Sequence, residues 1–159
     1  MKWDTVGKET EEPMFRGCFE HTIDDKGRLS IPVKFREALE STFVPPLIVT
    51  RQKDCLIAYP ADEWRLLEAR LNEQPSYDPN VQAFRRFVYA PAQECPIDRA
   101  GRILVPPTLR TFAALEREVV LAGMGKTFEV WSKERYDAMM GATLANFDAV
   151  AQGMGALGL

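Results

Sequence analysis

The 159-residue chain has one histidine, His21, and three cysteines, Cys18, Cys55 and Cys95. With one histidine, any Ser-His-Asp or Cys-His site would have to use His21. That residue lies three positions before a tight turn, on an expected strand, a setting for a packed or surface side chain. The cysteines are odd in number and contain no Cys-x-x-Cys, which excludes a disulfide framework or a Cys-rich zinc site. Spread across strands, they suit small buried hydrophobes. There is no GxxxxGK[ST] and no GxGxxG. Gly123 to Lys126 resembles a phosphate loop only by composition and suits a hairpin turn better. Adjacent Asp24 and Asp25 diverge on a turn, poor geometry for a carboxylate dyad. Lacking a nucleophile–base pair or a metal cluster, the chain is expected to be neither an enzyme nor a holder of metal or cofactor. No apolar run approaches the ~18 residues that span a bilayer. No basic-then-apolar leader opens the sequence, so no membrane association and a cytosolic location are expected.

Positive charge is also scarce: 20 Lys and Arg stand against 23 Asp and Glu, a net charge of -3. That sum argues against non-specific coating of nucleic acid. At 46% hydrophobic residues the chain can bury a core, as one domain or two small ones. Charge is uneven along it. Only residues 14–36 and 95–110 are net positive, at +2 each, and these are copies of each other.

Ile23 to Arg36, IDDKGRLSIPVKFR, aligns without gaps to Ile97 to Arg110, IDRAGRILVPPTLR, with six of fourteen positions identical. After a two-residue offset, LIVT at 47–50 matches VVLA at 119–122, and CLIAYPADEW at 55–64 matches TFEVWSKERY at 127–136. Residues 14–64 and 88–136 are therefore two halves of a duplicated unit. Each half predicts a strand, a tight Asp-x-x-Gly-Arg turn, a short strand, a helix after Pro32 or Pro106, and a hairpin. Phe35, Ala38 and Leu39 make an apolar helical stripe; Leu109, Phe112 and Ala113 repeat it. The hairpins pair 47–50 with 55–59 and 119–122 with 127–131. Between the halves, 65–87 forms a helical connector, with helices over Asp62 to Leu71 and Val81 to Tyr89. A further helix starts at Lys133 and runs to about Val150, with 151–159 frayed; residues 137–159 form a helix and flexible tail. Residues 1–13 are polar, acidic and unpatterned, and disorder is expected there. Trp64, Phe84, Phe87, Tyr89, Phe128, Trp131 and Tyr136 fall on apolar faces and suit packing.

The doubled turn carries the chemistry. Gly27 and Gly101 supply the positive φ that such turns need. Asp24 and Asp98 accept hydrogen bonds from the turn's own N–H groups. Arg28 and Arg102 then project from the only basic segments. A guanidinium clamps a phosphate, or reads the O6/N7 edge of guanine, through two parallel bonds. Lys26 and Arg99 share the tips and suit phosphate contacts. Arg36 and Arg110 lie one helical turn further on, suited equally to DNA or to a structural salt bridge. Other readings are a scaffold whose Asp–Arg tips hold acidic proteins, and an enzyme using Asp24 or Asp98 on a phosphorylated substrate.

These residues resemble the MraZ family of bacterial transcriptional regulators with two SpoVT/AbrB-type domains. The likeness covers about residues 14–140 and rests on MFRG at 14–17, HTIDDKGRLSIPVKFRE at 21–37, DRAGRILVPPTLR at 98–110 and EVVLAGMGKTFEVWS at 118–132. It implies an α+β fold: a pseudo-twofold swapped-hairpin β-barrel from two tandem AbrB-like repeats, flanked by helices. It also implies a ring-shaped homo-oligomer that binds double-stranded DNA at short direct repeats upstream of the division and cell-wall gene cluster, its own promoter included, as a repressor at the nucleoid. Arg28 and Arg102 match the residues associated with DNA contact. The family pattern begins at Met14, so residues 1–13 are an extension. The second turn carries Arg99 and Ala100 where the first carries Asp25 and Lys26.

Overall fold

A computed structural model describes residues 2–3, 9–10, 14–40 and 46–159. Lys2–Trp3 (β1) and Glu9–Thr10 (β2) form a short antiparallel ladder. The rest of the 1–13 segment, and with it the expected disorder, lies outside the described residues.

From Met14 the two halves build the same elements in the same order. The first half gives β3 (Cys18–Thr22), β4 (Arg28–Ser30), α1 (Val33–Glu40), β5 (Leu47–Gln52), β6 (Cys55–Pro60) and α2 (Ala61–Asn72). The second gives β7 (Gln93–Cys95), β8 (Arg102–Leu104), α4 (Pro107–Ala113), β9 (Glu118–Gly123), β10 (Phe128–Ser132) and α5 (Lys133–Ala145). The connector helix α3 (Pro79–Phe84) starts two residues earlier than expected, because the Asp78 carboxylate caps it, accepting from the N–H groups of Asn80 and Val81. It runs into a π-helical turn over Arg85–Tyr89. The C-terminal helix breaks at Asn146 and resumes as α6 (Phe147–Ala156), so 151–156 are helical rather than frayed. Gly153 and Gly155 sit within α6, with nothing within 4 Å of where a Cβ would stand.

The strands pair across the repeat. The main sheet is antiparallel, in the order β3-β9-β10-β6-β5-β7, and β4 pairs with β8 in a separate ribbon. Each half thus lends its first strand to the other half's hairpin: Glu20 opposes Val120 as Glu94 opposes Ile48. Two registers map onto themselves under the repeat, Ile57 opposite Glu129 and Leu29 opposite Ile103, and these mark a pseudo-twofold axis. The expected closed barrel is not found. Among the described residues no ladder joins the edge strands β3 and β7. The reason is local: past the end of β3 the chain forms a single bridge, Ile23 to Leu29, and β4 then turns to pair with β8.

One core lies between the halves. Phe15, Leu29, Phe35, Leu56, Ile103, Leu109, Leu121 and Phe128 are all fully buried in it. Phe35 from α1 packs edge-on to Phe15 and Phe19 at 5.3 and 5.2 Å between ring centres, and lies 4.9 Å from Phe128 of the second half. The GMGK segment is a hairpin turn: Met124 N–H donates to the Thr127 carbonyl, and Phe15 pairs with Gly125. Gly123 is required there, since a Cβ would lie 2.5 Å from the Phe15–Arg16 backbone.

Candidate nucleic-acid interface

The two Asp-x-x-Gly-Arg turns have nearly the same geometry. In the first, the Gly27 N–H donates to the Asp24 carbonyl at 2.9 Å. Asp24 Oδ1 accepts from the backbone N–H groups of Lys26 (3.0 Å) and Arg28 (2.9 Å), while Oδ2 takes Arg28 Nε at 2.6 Å. In the second, Asp98 Oδ1 accepts from Ala100 and Arg102 N–H, both at 2.9 Å, and Oδ2 takes Arg102 Nε at 3.3 Å. One carboxylate therefore closes the turn and orients the arginine. The pairing engages Nε, so a guanidinium held this way can still offer its two terminal nitrogens. The backbone N–H of Arg28, above all, holds the Asp24 carboxyl below its ordinary range; the Arg102 N–H does the same for Asp98. Both Asp–Arg pairs are well exposed, and such pairs add little to stability. Their use is positional.

Strand exchange brings the two turns together. Ile31 N–H donates to the Gly101 carbonyl and Val105 N–H to the Gly27 carbonyl, so each half's ribbon strand runs beside the other half's turn. Leu29 and Ile103 point into the core. Alternation then places Arg28, Ser30, Arg102 and Leu104 on the ribbon's outer face, Arg28 opposite Leu104 and Ser30 opposite Arg102. Lys26 and Arg99 stand exposed on the tips with Asp25 and Ala100.

Arg36 and Arg110 are placed differently. Each half-buried side chain lies against the glycine of the opposite turn: a Cβ on Gly101 would meet the Arg36 guanidinium at 2.7 Å, and one on Gly27 would meet Arg110 Nε at 2.7 Å. Arg36 Nε donates to the Ile31 carbonyl at 3.1 Å, and an Arg110 terminal nitrogen reaches the Asp25 carbonyl at 3.4 Å. Their partners are backbone carbonyls rather than the carboxylates a salt bridge needs. Sequence reasoning did not find this cross-bracing. Its signal was the nine-residue spacing of a glycine and an arginine in both copies, Gly27 to Arg36 and Gly101 to Arg110, but only the strand exchange brings each arginine against the other copy's glycine.

The other singled-out residues have structural places. His21 Nδ1 lies 2.7 Å from the Ser30 carbonyl, tying β3 to the ribbon. Cys55 and Cys95 are buried, and burial raises both thiols, Cys95 to about 11. Cys18 departs from expectation: it is exposed, with its sulfur 3.2 Å from the Tyr136 hydroxyl. Its side of β3 faces away from the core that takes Phe19. Trp64, Phe128 and Trp131 are buried, whereas Phe84 and Phe87 are partly exposed. Trp64 stacks on Tyr89 at 5.7 Å. Among the described residues, no cluster of metal-ligating side chains occurs and no helix is long and apolar enough to cross a membrane.

Comparison with known proteins matches this arrangement twice over. A family model described as an antitoxin-like MraZ protein matches residues 14–87 and again 88–154. The chain belongs to the MraZ family. It is 46% identical to the transcriptional regulator MraZ of Pediococcus pentosaceus over 147 residues, covering 92% of this chain and 100% of that one. It is 40% identical to the protein of the same name from Syntrophobacter fumaroxidans over 148 residues, 93% and 99% of the two chains. The MraZ counterpart from Acetivibrio thermocellus is 42% identical over 147 residues, again 92% and 100%. The two matched MraZ segments divide the chain between Phe87 and Val88, inside the π-helical turn of the connector.

Proposed function

We propose that this chain is a DNA-binding transcriptional regulator that works from the nucleoid and carries its DNA contacts on the β4–β8 ribbon. One observation carries the reading: strand exchange sets two aspartate-held arginines, Arg28 and Arg102, on one exposed face. The names of its relatives point the same way. Arg28 and Arg102 make the bidentate contacts. Lys26 and Arg99 neutralise phosphates and fix position rather than sequence. Asp24, Asp98, Gly27 and Gly101 shape the turns. Arg36 and Arg110 brace the tips from behind and add to the local positive field. The acidic remainder of the chain keeps indiscriminate binding low.

A single ribbon makes few contacts, so useful affinity calls for several copies. The chain acts as a ring-shaped homo-oligomer on short direct repeats of double-stranded DNA, as a repressor upstream of the division and cell-wall gene cluster and at its own promoter. The effective concentration of linked sites multiplies the weak single contacts. An apolar surface for self-association is at hand on α5 and α6, where Met140, Leu144, Phe147, Val150 and Met154 are exposed.

The test is a binding series on DNA from upstream of the gene, by fluorescence anisotropy. Arg28→Ala and Arg102→Ala should each weaken binding by about 5- to 150-fold, as for loss of one bidentate contact, with mass by light scattering unchanged. Affinity should also fall steeply with salt. Wild-type affinity in the double variant would overturn the reading. Retained capture of acidic proteins with no DNA protection would favour a protein-binding scaffold instead.

A further inference from the structure

The ribbon's two arginines are equivalent under the pseudo-twofold axis, but their neighbours are not. The axis passes between Leu29 and Ile103, so it exchanges Arg28 with Arg102 and Ser30 with Leu104. A reader with true twofold symmetry prefers a palindrome. This ribbon has a small hydroxyl at one position and a branched apolar side chain at the other. Leu104 is 59% exposed, at one corner of a face otherwise made of Arg28, Ser30 and Arg102. It contributes nothing to the core, which Ile103 and Val105 on either side enter instead. Cross-strand neighbours sit roughly 5 Å apart, so Leu104 lies beside Arg28 as Ser30 lies beside Arg102.

We propose that Ser30 and Leu104 are specificity-determining positions that give the bound DNA a direction. A two-stranded ribbon fits the major groove, where thymine alone presents a methyl group. Leu104 packs on a thymine C5-methyl next to the contact made by Arg28. Ser30 hydrogen-bonds a base edge next to the contact made by Arg102. The two halves of the ribbon therefore prefer different bases, and each ribbon binds its site in one orientation. The tips add to the asymmetry through Asp25 and Lys26 on one side and Arg99 and Ala100 on the other, but at phosphates, which carry no sequence. An oriented reader suits sites repeated head to tail rather than inverted. The inference rests on the DNA-binding reading above.

The test uses the full chain. Sites are selected from a pool of randomised duplexes, and each thymine of the recovered site is then replaced by uracil, which removes only the methyl group. The wild type should recover a site without twofold symmetry and lose about fourfold in affinity at one uracil position, the effect of one buried methyl. Leu104→Ser should abolish that sensitivity. The double exchange Ser30→Leu with Leu104→Ser should move the sensitive thymine to the other half of the site. A twofold-symmetric wild-type site, or uracil replacement without effect at every position, overturns the proposal while leaving DNA binding intact. So does a uracil penalty that persists in Leu104→Ser. The wild-type scan needs no variant, so misfolding of a variant cannot rescue the idea. Recovery of no site, with no binding to the gene's own upstream DNA, sinks the DNA-binding reading and this inference with it.

Discussion

Gly27 and Gly101 are the residues whose replacement should separate local strain from cross-bracing. Both have positive φ, +90° and +77°. An added Cβ at either costs ~1–2 kcal/mol for the backbone conformation alone. At Gly101 the three atoms nearest the new Cβ all belong to the Arg36 guanidinium, the far end of a side chain that can swing away. At Gly27 it also meets the Val105 carbonyl at 2.8 Å, a backbone atom that has no such freedom. Gly27→Ala should therefore destabilise more than Gly101→Ala, by a further ~1 kcal/mol or more. Urea denaturation of the two variants checks the order, and equal costs would contradict it. The same turns set a pH response. Asp24 and Asp98 are held below the ordinary aspartate range by the N–H groups of Arg28 and Arg102. A folded pKa below the unfolded one contributes stability above the unfolded value, which is lost as pH falls through the folded value. The tips should stay ordered at neutral pH and loosen only below about pH 4. Amide shifts of Lys26, Arg28, Ala100 and Arg102 should titrate with midpoints below that of a free aspartate; midpoints at or above it would refute the assignment.

Among the elements, α1 and α4 show how a repeat can diverge while its packing is kept. Phe35 on α1 and Leu109 on α4 occupy matching places, and both are 1% exposed. The larger ring lets Phe35 reach Phe15, Phe19 and Phe128. Phe35→Ala should cost ~3–5 kcal/mol. Because Phe128 belongs to the second half, the loss should lower one cooperative transition rather than melt the first half alone. Calorimetry showing two separate transitions would argue against a shared core. The α1 stripe was visible in the sequence as Phe35, Ala38 and Leu39, since helical spacing is a local property. The start of α3 at Pro79 was legible in principle from Asp78 and Pro79, an N-cap followed by a proline at the first helical position. The break at Asn146 was not, because no proline or packed glycine marks it.

For the whole molecule, strand exchange makes the halves interdependent. In the intact chain β3 pairs with β9, β7 with β5 and β4 with β8. A segment of residues 14–87 by itself has no β8 or β9 for its own strands. It should show no folded monomer: either an unfolded chain or a twofold dimer in which a second copy supplies the missing strands. Circular dichroism with sedimentation over a range of concentrations decides this, and a stable folded monomer would show that the exchange is dispensable.

The sequence by itself determined the duplication, the order of elements, the two tight turns and the net positive charge of the two segments that carry them. These follow from local pattern: alternation, helical spacing, and glycine where φ must be positive. Only the tertiary structure decided which strands pair. A strand's inward and outward faces are set by its own residues, but its partner is set by which edges meet when the core closes. That choice opened the sheet where a barrel was expected, turned Arg36 and Arg110 into braces for the opposite turns, and placed Arg28 and Arg102 on one face, with Leu104 beside the first and Ser30 beside the second.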